Sequence, residues 1–100
     1  MNMNSLMQQA QRMQKELAKK QAELEEKLFE VVSSGGAIKV SIYGNRRIEK
    51  IDIDKDAIDP EDKEMLEDMI KIAINDAMNL IDAENEKITR SMTSGMRMPF

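Results

Sequence analysis

The chain has 100 residues, 41% of them hydrophobic and 34% charged, with a formal net charge of −4. That length suits one small domain, and the balance of apolar and charged residues is a folding one, not a disordered one. Neither Cys nor His occurs, which excludes thiol chemistry, disulfides, His-dependent nucleophilic triads and the usual zinc sites. No apolar run is long enough to cross a bilayer, and no basic segment followed by an apolar core marks a secretory leader. The expectation is a single cytoplasmic domain over residues 1–100, without enzyme activity, cofactor, metal or small-molecule substrate.

Charge is unevenly spread. Residues 1–50 carry nine Lys and Arg against six Asp and Glu, whereas residues 51–100 carry six against thirteen. The total argues against a polyanion as partner; the distribution leaves one open for the N-terminal half.

Met3 to about Leu28 is expected to form one long helix, because it holds no Gly, Pro, Thr or β-branched residue and is rich in Gln, Lys, Glu, Ala, Leu and Met. Asn4 or Ser5 is the expected N-cap. Leu6, Ala10, Met13, Leu17, Leu24 and Leu28 form a single apolar seam close to a heptad pattern. At about 100° per residue, Arg12, Lys15 and Lys19 fall together on the face opposite that seam, with Lys20 and Lys27 flanking it. Glu23 and Glu26 join the outer face further on. Read plainly, such a stripe is a solvated helix face; read functionally, it is a cationic surface.

From Phe29 the composition turns to β-branched residues and Gly. Phe29–Ser33 reads as a short strand, Ser34-Gly35-Gly36 as a turn, and Ala37–Tyr43 as a strand with Ile38, Val40 and Ile42 on one face. Gly44-Asn45, extended by Arg46, marks a second turn before a third strand, Ile48–Ile53. Ile48 has the opposite parity to Ile51 and Ile53, so either a bulge lies between them or Ile48 packs beyond the sheet, as against another subunit.

Asp52, Asp54, Asp56 and Asp59 resemble a metal loop only superficially. A calcium loop begun at Asp52 wants Gly at Ala57 and Glu at Lys63. Asp59 is better read as an N-cap with Pro60 in the first helical position. The last helix is expected from Pro60 to about Ser91. Its stripe of Leu66, Met69, Ile70, Ala73, Ala77, Leu80, Ile81 and Ile88 is widened by Met65, Ile72, Ile74 and Met78, more than one small sheet can cover. A tail at about 93–100, broken by Gly95 and Pro99, is expected to be flexible unless docked. The class is α+β: a long N-terminal helix, a three-stranded antiparallel meander and a long C-terminal helix.

Several segments in this order resemble the YbaB/EbfC family of bacterial nucleoid-associated proteins. They are Leu6-Met7-Gln8-Gln9-Ala10-Gln11-Arg12-Met13-Gln14, Val40-Ser41-Ile42-Tyr43-Gly44 and Ile51-Asp52-Ile53-Asp54. Met65–Ile70, Ala73 with Asn75-Asp76-Ala77, and the ending Ser94–Phe100 complete the set. The resemblance implies a homodimer with sheets joined at its centre, located in the cytoplasm and nucleoid, that binds duplex DNA without enzyme activity. Two departures stand out: Gln8 replaces a frequent Lys, and the tract between the first two strands shrinks to Gly35-Gly36.

The cations available to phosphate are Arg12, Lys15, Lys19 and Lys20 on the first helix, Arg46 and Arg47 at the hairpin tip, and Arg90 and Arg97 near the C-terminus. Such groups neutralise phosphates without reading base edges, so little sequence specificity is expected. No helix-turn-helix, zinc finger or stacking platform is visible. The expected role is a nucleoid-associated homodimer acting on chromosome organisation and gene expression. The alternative is a protein-interaction dimer, scaffold or chaperone, working through Met-rich apolar helix surfaces.

Overall fold

In a computed structural model that describes residues 2–94, without the side chains of residues 92–94, the N-terminal helix α1 spans Met3–Glu26. Its N-cap is Asn2, whose side chain accepts a hydrogen bond from the amide of Asn4 at 3.1 Å, and not Asn4 or Ser5 as expected. The helix stops short of Leu28 because Lys27 turns to extended geometry (φ −75°, ψ 135°). Leu28 therefore opens the first strand and is not the last residue of the seam.

Strands β1 (Leu28–Ser33), β2 (Ile38–Tyr43) and β3 (Ile48–Ile53) form an antiparallel sheet in the order β1-β2-β3. The parity conflict at Ile48 is resolved by a bulge. Val40 faces Ile51 and Ser41 faces Lys50, but Ile42 faces Ile48, so Glu49 has no partner of its own. The extra residue shifts the pleat by one and brings Ile48, Ile51 and Ile53 to the face that holds Ile38, Val40 and Ile42.

A short 3-10 turn at Lys55–Ala57, capped by the side chain of Asp54, leads towards the second helix, α2, at Lys63–Ser94. Asp59 does not cap α2. It closes an Asx turn on the amide of Glu61 at 3.0 Å, and Asp62 takes the cap by accepting from the amide of Met65 at 3.2 Å. Three residues thus separate the expected start from the real one. The helix also runs past Ser91, and the tail from Gly95 onward, including Arg97, lies outside the described residues.

Helix α2 lies across β1 and β2. Its Ala73, Ala77 and Ile81 are buried with Phe29, Ile38, Val40, Ile42 and Leu24 of α1. The small Ala side chains let the helix backbone approach the sheet closely. β3 stays outside this cover, leaving Ile48 37% and Ile51 38% exposed. The molecule measures 70 × 28 × 16 Å with a radius of gyration of 19.7 Å, against about 13 Å for a compact chain of this length. Much of α1 is an arm.

The arm is held at its base by backbone. The Gly44 amide donates to the Lys27 carbonyl at 2.9 Å and the Asn45 amide to the Glu25 carbonyl at 3.2 Å. These bonds satisfy carbonyls that a helix end leaves open. Gly44 is buried against α1, and a Cβ there would overlap the Leu24 carbonyl oxygen. The Gly44→Ala variant is expected to lose about 2–3 kcal/mol of stability or more, as overpacking against rigid backbone does; urea unfolding checks this, and an unchanged midpoint would contradict it.

Candidate nucleic-acid interface

Of the α1 side chains, only Met13, Leu17, Gln21 and Leu24 are withdrawn from solvent. They mark one line along the helix, against the C-terminal half of α2, where Ile81 is buried and Ile88 half-buried. The expected seam is real at its C-terminal end. Its first half is not covered: Leu6 is 45% exposed, and Met3 and Met7 lie open beside it.

Arg12, Lys15 and Lys19 project from the opposite side and are exposed, as is Lys20 on the flank. From Arg12 to Lys19 the stripe runs about 10 Å along the helix axis. No acidic residue precedes Glu16 in the chain, so the field of the arm is positive over its first three turns. Glu23 and Glu26 reduce it near the base.

The remaining cations divide by what they touch. Arg46 pairs with Asp82 of α2 and directs Nη1 to Met78 Sδ at 3.4 Å. Arg90 pairs with Glu86 at 3.2 Å, Lys87 with Glu84 at 3.4 Å, Lys63 with Glu67 and Lys71 with Asp68. Lys27 sits 5.0 Å from the centre of the Phe29 ring. Among the described residues no ion pair engages Arg12, Lys15, Lys19, Lys20 or Arg47. The cations of α2 are thus spent on its own carboxylates, while those of α1 make no such pair and outnumber the single acid, Glu16, that lies among them. Lys39 and Lys50 sit across the strands from Asp52 and Ser41 on the sheet's outer surface, next to Glu30, and the charges there cancel.

Among the described residues no group of three or more His, Cys, Asp or Glu converges on a metal position. A cleft of about 400 Å³ between the base of α1, the hairpin tip and α2 is open and lined by Gln21, Asn45 and Asn85 with Glu25 and Arg46. No helix among the described residues is long and apolar enough to cross a membrane. Sequence reasoning missed Asp82 as anything but part of an acidic surface; it stands 36 residues from Arg46, and no local spacing signals the contact.

A family model described as the YbaB/EbfC DNA-binding family matches residues 1–96. A nucleoid-associated protein of Clostridium novyi is 44% identical over 99 residues, spanning 99% of this chain and 87% of its own. One from Malacoplasma penetrans is 47% identical over 100 residues and spans the whole of both chains. The crystal structure of an uncharacterized protein from Helicobacter pylori shares the fold, with a TM-score of 0.75 at 22% identity over 93% of this chain and 98% of that one.

Replacing Arg12, Lys15 and Lys19 together by Gln is expected to leave stability within about 0.5 kcal/mol per site, because all three are in solvent and Gln is a good helix former. Thermal unfolding followed by circular dichroism checks this. A collapse of helicity would mean that the stripe is structural.

Proposed function

The chain belongs to the YbaB/EbfC DNA-binding family, and from that premise we propose that it binds duplex DNA as a homodimer, through the outer face of α1, with little sequence specificity. Membership carries no enzyme activity. The observation that carries the reading is the asymmetry of charge compensation: α1 offers Arg12, Lys15, Lys19 and Lys20 to solvent, whereas α2 pairs its cations internally. A duplex carries one negative charge per about 1.7 Å of axis, and a straight helix presents several cations to it at once, releasing counterions. Arg47, exposed at the hairpin and in no ion pair among the described residues, is a further cation available to phosphate. Arg46 and Arg90 are paired with Asp82 and Glu86, which weakens the positive charge that they offer to phosphate, and Arg97 is a further candidate.

Self-association is supported by what a single copy leaves uncovered. Ile48 and Ile51 lie beside the edge of the sheet, and Met65 and Ile72 on α2 are 41% and 48% exposed. Two copies joined through their sheets would cover such a surface and project two basic arms. The place of action is the nucleoid in the cytoplasm, and the role is in chromosome organisation and gene expression. A second reading, a dimer that holds partner proteins, draws on the open Met3, Leu6 and Met7.

A mobility shift titrated with salt on two unrelated duplexes separates the readings. DNA affinity is expected to fall steeply with salt and to differ little between duplexes. The Gln triple variant at Arg12, Lys15 and Lys19 is expected to bind more weakly with a flatter salt slope, by up to about six charges per dimer. Changing Glu64, Glu67 and Asp68 to Gln, Gln and Asn should leave binding equal or tighter. Wild-type affinity and slope in the first variant would remove α1 as the contact surface. Sedimentation should give a dimer at micromolar concentration; an 11.5 kDa species would contradict it.

A further inference from the structure

We propose that Arg46 and Asp82 act as a clamp that sets the angle of α1 on α2, which makes Asp82 a positioning residue for the arm; this rests on the reading of α1 as the DNA-contacting element. Tyr43 and Arg47 close the β2–β3 hairpin, the Tyr43 amide donating to the Arg47 carbonyl at 2.9 Å and the Arg46 amide to the Tyr43 carbonyl at 2.8 Å. That pattern is a three-residue loop whose last position is left-handed, the place where Gly is the usual choice. Here it is Arg46, at φ +74°. A long side chain held in an unfavourable backbone conformation points to a use for that side chain.

Its use is visible. The guanidinium reaches Met78 Sδ and Asp82 one turn apart on α2, while the amides of Gly44 and Asn45, the two residues before it, hold the last carbonyls of α1. Three consecutive residues therefore grip both helices. Arg46 and Asp82 are 44% and 59% exposed, so the pair adds little to global stability; what it fixes is a direction. The effect grows along the arm. Met13 and Leu17 are only half-buried against α2, so the clamp sets the angle together with that seam; Arg12 lies twelve residues beyond Leu24, about 18 Å along the axis, and a tilt of about 10° at the base moves it by about 3 Å.

Asp82→Asn tests this without removing a cation. The variant makes a dimer less negative by two charges, so charge alone predicts tighter binding to DNA. The clamp predicts the opposite: affinity about three- to tenfold weaker. It also predicts a broader distance distribution between spin labels at Gln11→Cys and Lys71→Cys, measured with labelled chains diluted in unlabelled ones. Asp68→Asn, the same charge change elsewhere on α2, should bind equally or more tightly. The exchange Arg46→Asp with Asp82→Arg should restore both the narrow distribution and the affinity. Tighter or unchanged binding by Asp82→Asn would overturn the clamp, and tighter binding would make Arg46 a masked phosphate contact. If the wild-type protein bound no DNA, the functional reading would fail, while the distance distributions would still decide whether the clamp exists.

Discussion

The architecture depends on one loop of backbone. At Gly44 and Asn45 the β2–β3 hairpin donates two amides to the end of α1, so the helix is terminated by the sheet to which it is attached. Every larger feature follows from that junction. A helix whose end is capped by the β2–β3 turn leaves the sheet at a defined angle. Its second half leans on α2 through Met13, Leu17, Gln21 and Leu24, and the turns before Met13 form an arm whose orientation follows from that base. Only a residue without Cβ allows the approach, and the turn-forming role expected of Gly44 is the lesser part of what it does.

Charge then acts on a scaffold shaped in this way. The acidic half of the chain is not simply repelled from polyanions. Its carboxylates take up the cations of α2 in short-range pairs, three or four residues apart, and leave that helix negative. The N-terminal arm has no acid before Glu16 and projects from the body, so its field is local and positive despite a net charge of −4. A protein acidic as a whole thus presents a basic surface, because the two signs sit on different elements.

Much of this was legible in the residues. The alternation of Ile38, Val40 and Ile42 gave the middle strand, and the wrong parity of Ile48 announced the irregularity that the Glu49 bulge supplies. The position of Arg12, Lys15 and Lys19 opposite the seam follows from helical spacing alone, and their exposure agrees with it. Element ends were less legible, for local reasons. Leu28 fits the i, i+4 rhythm of Leu24 yet belongs to a strand, because Lys27 adopts an extended backbone. Asp59-Pro60 has the composition of a helix start, but the Asx turn uses up its carboxylate and Asp62 becomes the cap. The open half of the seam around Leu6 could not be foreseen from periodicity, which says which residues share a face but not whether anything lies against it. The contact of Arg46 with Asp82 arises only from the fold.

The central claim is that α1, held by the hairpin, is the element that meets DNA. Amide chemical-shift mapping during titration of a short duplex tests it directly, since every α1 position reports at once. The account predicts the largest perturbations at Arg12 to Lys20, with Arg47 following and residues 63–86 of the acidic helix nearly silent apart from those near Asp82. Perturbations concentrated on α2 or on the outer face of the sheet, with α1 unmoved, would contradict it.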